Sequence, residues 1–307
     1  MRTAMRRYRP AEDFIRVRDF LKETFYAFGE PLNWGIERWN WARFHPSVFR
    51  EGDPAGTARN IEFFEGSIRI WEDGNGEIAG VVNVESPEPD GEFFVQRRPG
   101  YDALLDEMLD YAETLPKPAG AARSIYAYDR DDALLAALGG RGFVANPERS
   151  SCWADLAIGT APSASLPEGF GLASMAEDMD PAERCKVQGL GFGHADPREW
   201  MSVAEYAEVR KAPDYRPELD LATVSPGGEY ASCCIVWLDD RNRAAFLEPV
   251  CTRPEYRRMG LGRAVVMEGL RRASGLGAER AFVGSKQDFY RRIGFSMSLR
   301  SRAWEKA

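Results

Sequence analysis

Residues 251–264, Cys-Thr-Arg-Pro-Glu-Tyr-Arg-Arg-Met-Gly-Leu-Gly-Arg-Ala, constrain this chain more than any other segment. They run from an apolar strand through a turn with two spaced glycines into a helical pattern. A helix start leaves its first N–H groups unpaired and carries partial positive charge, so such a turn binds a phosphate group without a metal. Gly260 and Gly262 remove side chains that would hold an anion off the backbone, while Arg257, Arg258 and Arg263 add charge around it. Met259 and Leu261 are the remaining residues of this loop. A surface helix opened by a glycine turn carries the same Arg-x-x-Gly-x-Gly string, so the assignment needs a second signal.

Charge distribution supplies part of it. Residues 251–307 hold 13 Lys+Arg against 5 Asp+Glu, leaving 27 against 43 in residues 1–250. The basic segment coincides with the proposed phosphate turn, and the acidic remainder suits attraction of a cationic amine as well as it suits a solvated surface. The net charge of −8 argues against a general nucleic-acid partner, and no segment has the apolar length of a membrane span. The first residues are basic, with no apolar stretch behind them, which predicts no secretory leader and a cytoplasmic location. The five cysteines form no Cys-x-x-Cys pair, and with only two histidines, His45 and His194, a zinc site is poorly supplied. Reduced, buried thiols and no metal are expected.

Downstream, residues 281–285 read as a short strand and 287–295 as a short helix ending at a glycine. Arg257-x-x-Gly260-x-Gly262 followed by Tyr290-x-x-x-Gly294-Phe295 resembles the paired motifs of the GCN5-related N-acetyltransferase (GNAT) family, over about the last third of the chain. The resemblance implies an acetyl-CoA site and direct acyl transfer to an amine. It also implies that the pantetheine arm lies between two strands that splay apart. Backbone groups of Val250 and Thr252 are then its contacts, and Arg257, Arg258, Met259, Gly260, Leu261, Gly262 and Arg263 form the phosphate loop. Tyr290 matches the family position for a general acid, and a phenol suits that role because it stays protonated at neutral pH. A tyrosine buried beside Phe289 and Phe295 is the alternative.

Pro249 sits inside the first of those strands, where a proline removes one N–H from the ladder and favours a bulge or an unpaired edge. Glu248 shares the side-chain face of Val250 and Thr252 at period 2, either as general base or as a ligand of the substrate cation. His194, in a glycine-rich loop, is the other titratable candidate. Cys251 falls on the opposite face and is not proposed as a nucleophile.

Strand, turn and helix signals repeat. Residues 219–224, 229–238 and 243–252 read as a meander leading into the loop, and 68–71, 77–85 and 92–96 give the same grammar before a helix at 101–113. Laying Arg98-Pro99 on Arg253-Pro254 puts Asp102, Leu105 and Glu107 where the second copy has Arg257, Gly260 and Gly262, and laying Gly142-Phe143 on Gly294-Phe295 puts Leu138 on Tyr290. The first copy has lost the anion site and the phenol. The expected fold is mixed α/β, two tandem GNAT-like acyl-CoA N-acyltransferase domains with largely antiparallel sheets. Residues 1–160 form the degenerate domain and 161–307 the catalytic one, joined by a linker at 157–169. The aromatic run from Trp34 through Trp39 to Trp41 is expected in the core or as a wall of the substrate cleft.

These readings predict acetyl transfer from acetyl-CoA to a small-molecule primary amine, in a monomer or homodimer. A non-catalytic acyl-CoA-binding module and a protein N-acetyltransferase are the alternatives.

Overall fold

The computed structural model describes residues 2–160, 165–177 and 179–307. The predicted linker at 157–169 includes residues 161–164, which lie outside the described residues. The first half runs β1 (Thr3–Arg7), α1 (Pro10–Thr24), α2 (Ile36–Phe44), α3 (Pro54–Ser67), β2 (Arg69–Asp73), β3 (Ile78–Asn83), β4 (Phe94–Arg97), α4 (Leu105–Ala112), β5 (Arg123–Tyr128), α5 (Asp132–Gly140) and β6 (Val144–Ala157). The second runs β7 (Gly171–Ser174), α6 (Pro181–Gly191), α7 (Val203–Val209), β8 (Asp220–Val224), β9 (Tyr230–Asp239), β10 (Ala244–Thr252), α8 (Leu261–Gly275), β11 (Arg280–Gly284), α9 (Asp288–Arg292) and β12 (Ser296–Lys306). Apart from α3, the element order of the first half is that of the second, as the repeated turn and strand signals predict. The helix predicted at 101–113 is shorter, because a 3-10 turn, Asp102–Leu104, precedes α4.

Local chemistry sets the helix ends. Asp180 accepts a hydrogen bond from the Ala182 amide at 2.8 Å and Pro181 opens α6, since proline's missing N–H costs nothing there. Ser202 and Glu205 form a reciprocal capping box on α7. Helix α8 ends where Gly277, at φ +102°, lets the chain turn back so that the Ala278 amide reaches the Ala273 carbonyl. Among the described residues no helix is long and apolar enough to cross a membrane.

Strand order departs from two separate sheets. One sheet is β1-β2-β3-β4; the other is β5-β12-β6-β11-β10-β9-β8-β7. The second half of β6 pairs with β11, from Ala157↔Arg280 to Trp153↔Gly284. Strand β12 lies between β5 and β6, pairing Ser301 with both Tyr128 and Ser151. Strands β5 and β6 of the first half therefore belong to the sheet of the second, with β12 held between them. All ten positions of β9 are buried, because α6 and α8 both pack against it.

Among the described residues four apolar clusters form, the smallest around Val187, Tyr230 and Cys251, and the other three make up the frame. One fills the first half around Trp39, Phe64, Trp71 and Met108; a second fills the last half around Val236, Val266, Leu270 and Phe295. The third joins them: the Phe25 ring lies 5.1 Å from Phe246, 5.4 Å from Phe282 and 6.0 Å from Trp153, edge-on in each case. Trp34, Trp39 and Trp41 are all buried, and Trp41 belongs to this joining core. A fully buried ion pair secures α6: Arg184 Nε donates to Asp220 Oδ1 at 2.8 Å, and the hydroxyls of Tyr206 and Tyr215 donate to Asp220 Oδ2.

Candidate active site

Strand β10 shapes the site. Its register with β9 jumps from Leu247↔Val236 to Val250↔Cys234, three steps against two, so Glu248 and Pro249 form the bulge that the proline predicts. The Glu248–Pro249 peptide is cis. The parallel pairing of β10 with β11 stops at Phe246↔Phe282. Beyond that point the strands part around a cavity of about 720 Å³ lined by Glu248, Pro249, Val250, Gly284 and Tyr290. Trp41, His45, Phe192 and His194 also line it.

Burial alternates along the bulged segment. Glu248, Val250 and Thr252 are half-buried on one face, and Pro249 and Cys251 are buried on the other. Cys251 packs against Cys233, with sulfur atoms 3.3 Å apart, away from the cavity. All five cysteines are free and buried.

At the far end of β10, Gly260 caps α8 with φ +82°, a left-handed conformation that L side chains resist. No atom lies within 4 Å of where its Cβ would be, so backbone conformation alone selects glycine there. Gly262 is different from expectation. Its Cβ would stand 2.9 Å from Thr252 Oγ1 and 3.5 Å from the Phe289 ring, so this glycine seats α8 against β10 instead of clearing space for an anion. Arg257 also departs from the predicted role: its Nε donates to the Thr252 carbonyl at 3.2 Å and its guanidinium to the Gly191 carbonyl at 3.1 Å, tying β10 to α6. Arg258 and Arg263 are exposed, with no hydrogen bond or ion pair to a described residue. Met259, Gly260 and Arg263 line a pocket of about 300 Å³ shared with Ser165 and Pro167. Leu261 is buried behind it.

Tyr290 is 5% exposed, lies edge-on to Phe289 at 5.0 Å and to Phe295 at 5.7 Å, and lines the 720 Å³ cavity. Burial first, then the neighbouring Cys234, Glu248 and Cys251, pushes its pKa up, so the phenol keeps its proton. Burial also pushes Glu248 up, to about 7, with the Glu85 charge adding to the effect and Arg38 opposing it. His194 sits on the rim, half exposed, with Nδ1 3.3 Å from Glu199. His45, beside Trp41, is lowered to about 4 by burial and stays neutral near pH 7.

A second cavity, of about 390 Å³, adjoins the first and shares Glu248 and Gly284 with it. Its walls come mainly from the first half, and sequence reasoning missed them. They include Glu37, Arg38, Glu85 and Tyr128. Arg38 donates to Glu85 at 2.9 Å and lies 4.5 Å from the Trp34 ring and 4.3 Å from the Phe94 ring. The only signal in the sequence was the aromatic run around Glu37, and nothing local in that run distinguishes a core carboxyl from a site carboxyl.

The first copy keeps the backbone of the second without its chemistry. The amide of Phe143 donates to the Leu138 carbonyl as that of Phe295 does to Tyr290, both at 3.0 Å, and Gly142 and Gly294 both have positive φ. Asp102 accepts from Arg97 Nε at 2.7 Å, and Leu105 is buried at the start of α4.

Residues 188–295 match the Acetyltransferase (GNAT) family. No curated protein matches the sequence. Solved structures are similar along the whole chain. A GCN5-related N-acetyltransferase from Sphaerobacter thermophilus is 16% identical, over 99% of this chain and 95% of that one, with a TM-score of 0.61. A tandem GNAT protein from the clavulanic acid biosynthesis pathway is 13% identical, over 99% and 98%, with a TM-score of 0.60. A glucosamine N-acetyltransferase region of a fungal multi-domain β-N-acetylglucosaminidase is 14% identical, over 99% of this chain and 38% of that one, with a TM-score of 0.55. At these identities the likeness is one of fold.

Proposed function

We propose that this chain, which carries a GNAT-family domain at residues 188–295 within a tandem GNAT fold, transfers an acetyl group from acetyl-CoA to the primary amine of a small molecule, using its C-terminal half. One observation carries the reading: Glu248 and Tyr290 line a single cleft between strands that part, and the strand bearing Glu248 runs on to the start of α8. A base and an acid on opposite sides of a cleft are what amine acylation requires.

The residues present fit the cosubstrate. Unpaired amides at the first turn of α8, opened by Gly260, would hold its phosphates with Arg258 and Arg263, and the unpaired edge of β10 at Val250 and Thr252 would hold its pantetheine arm. Acetyl-CoA supplies a thioester carbon activated toward amines. Glu248, with a pKa of about 7, is about half ionised at neutral pH and accepts a proton from the incoming ammonium at a carboxylate oxygen. Tyr290 retains its hydroxyl proton and holds it available for the departing sulfur. The role of the first half is to wall the cleft, since Asp102 and Leu105 occupy the place of its own anion site.

Calorimetric titration of acetyl-CoA into the wild type and a Gly260→Glu, Gly262→Glu variant tests the reading. One binding event per chain, lost in the variant, is expected. Two events would restore a cofactor site to the first half, and none in the wild type would overturn the acetyl-CoA assignment.

A further inference from the structure

The first half contains its own version of the strand splay. Strands β4 and β5 approach in parallel only at Glu92↔Ser124, where the Phe93 amide donates to the Ser124 carbonyl at 3.0 Å. Beyond it they part, and Phe94 and Gln96 on one side and Tyr126 and Tyr128 on the other line the 390 Å³ chamber. In the second half the corresponding opening leads toward the α8 turn. Here that route is useless for a phosphate, because Asp102 and the buried Leu105 stand at the start of α4. The chamber leads instead to Glu248, the carboxyl it shares with the 720 Å³ cleft.

Its floor holds an unsatisfied acid. Glu37 is 3% exposed, and among the described residues its Oε2 has no hydrogen-bond partner. The indole Nε1 of Trp153, on the same chamber, also has none. Leaving a buried polar atom without a partner is costly, so it marks a place where something else completes the bonding. The neighbouring charges decide what. Arg38 and Glu85 pair through their hydrogen bonds, which leaves Glu37 and Glu248 as the chamber's carboxyls without an ion-pair partner among the described residues. Burial and the Glu248 charge hold the Glu37 carboxyl well above its usual range, while the backbone amides at the start of α2 and the Arg38 charge oppose this. A cation entering the chamber lets the Glu37 carboxyl release its proton to solvent and satisfies the orphaned oxygen together.

We propose that the chamber formed by the parted strands of the degenerate half is the acceptor pocket of the enzyme, and that Glu37 is the ammonium-binding residue that presents a compact primary amine to Glu248. The acceptor class is then a primary ammonium on a body small enough for 390 Å³ and apolar enough to lie against Tyr126, Tyr128 and Trp153. This rests on the acetyltransfer reading for its consequence, though not for the binding itself.

The test uses full-length protein and 2-phenylethylammonium as the probe, with 2-phenylethanol as its neutral counterpart, followed by fluorescence of the tryptophans at the chamber. The ammonium should bind saturably, the alcohol should not, and Glu37→Gln should weaken ammonium binding roughly 10- to 100-fold, as loss of a charge-assisted hydrogen bond implies. Acetyl-CoA affinity should stay within twofold of the wild type, and the melting temperature should not fall; these two readouts establish that the variant is folded. Equal binding of the ammonium by wild type and Glu37→Gln, or no saturable binding by the wild type, overturns the proposal. Ammonium binding that depends on Glu37 in a protein that fails to bind acetyl-CoA would keep the amine pocket and discard the acetyltransfer reading instead.

Discussion

Replacing Glu248 by glutamine separates the catalytic value of this carboxyl from its structural cost. Its pKa rises from 4.5 to about 7 in the folded protein, chiefly because burial disfavours the charged form. The folded state therefore binds this proton more tightly than the unfolded chain, so stability falls as pH rises from 4.5 to 7 and stays at its lowered value above 7. At 1.36 kcal/mol per pH unit the full shift corresponds to about 3 kcal/mol, and water in the adjoining cavities screens part of it, leaving about 1–3 kcal/mol. Glutamine keeps the shape and removes the charge. Urea denaturation should find Glu248→Gln more stable than wild type by about 1–3 kcal/mol at pH 8, with the difference vanishing by pH 4.5. The same variant should lose acetyl transfer by roughly 10²-fold or more, while the wild-type rate should rise through an apparent pKa of about 7 and level off by pH 8. A variant no more stable at pH 8 would show that the carboxylate is well solvated or paired. A variant that keeps its rate within twofold would remove Glu248 from the proton path.

The remaining predictions concern the cleft and the frame. Tyr290→Phe should lower kcat roughly 10- to 100-fold with acetyl-CoA affinity unchanged; an unaltered rate would remove Tyr290 from the proton path. Gly260→Ala should cost about 1 kcal/mol from backbone strain alone, whereas Gly262→Ala should cost about 1–3 kcal/mol by pushing on Thr252, and should weaken acetyl-CoA binding through that strand. Denaturation midpoints and titration of each variant check this, and Gly262→Ala behaving as neutral would refute the packing role. Asp220→Ala strands the fully buried Arg184 and should destabilise by about 3–5 kcal/mol in urea; a loss under about 1 kcal/mol would refute the pair's role. Calorimetry should show one unfolding transition for the whole chain, because β6 and β12 are shared between halves; two resolved transitions would contradict the exchange.

The sequence exposed those features whose cause is local. Pro249 produces the bulge because its own missing N–H breaks the ladder, and the alternation of Glu248, Val250 and Thr252 follows from strand pleat. Gly260 is legible because its conformation excludes a side chain. Gly262 was legible as a required glycine and misread as to cause, since the atoms that exclude a Cβ belong to Thr252 and Phe289, distant in the chain. Arg257 shows the same limit: a guanidinium beside a phosphate loop looks like a phosphate ligand until the carbonyl of Gly191 is brought within 3.1 Å.

Backbone preferences and short-range spacing set the loop, the bulge, the Tyr290 turn and the repeat with its missing glycines, so each could be read before any fold was known. Tertiary structure alone decided which strand completes which sheet, because β6 and β12 have similar local patterns and only their long-range pairing distinguishes exchange from two closed copies. It alone decided where Glu37 goes as well. A carboxyl's partners and proton affinity depend on what packs around it, and here those neighbours come from α2, β4, β5 and β10, segments tens to hundreds of residues apart in the chain.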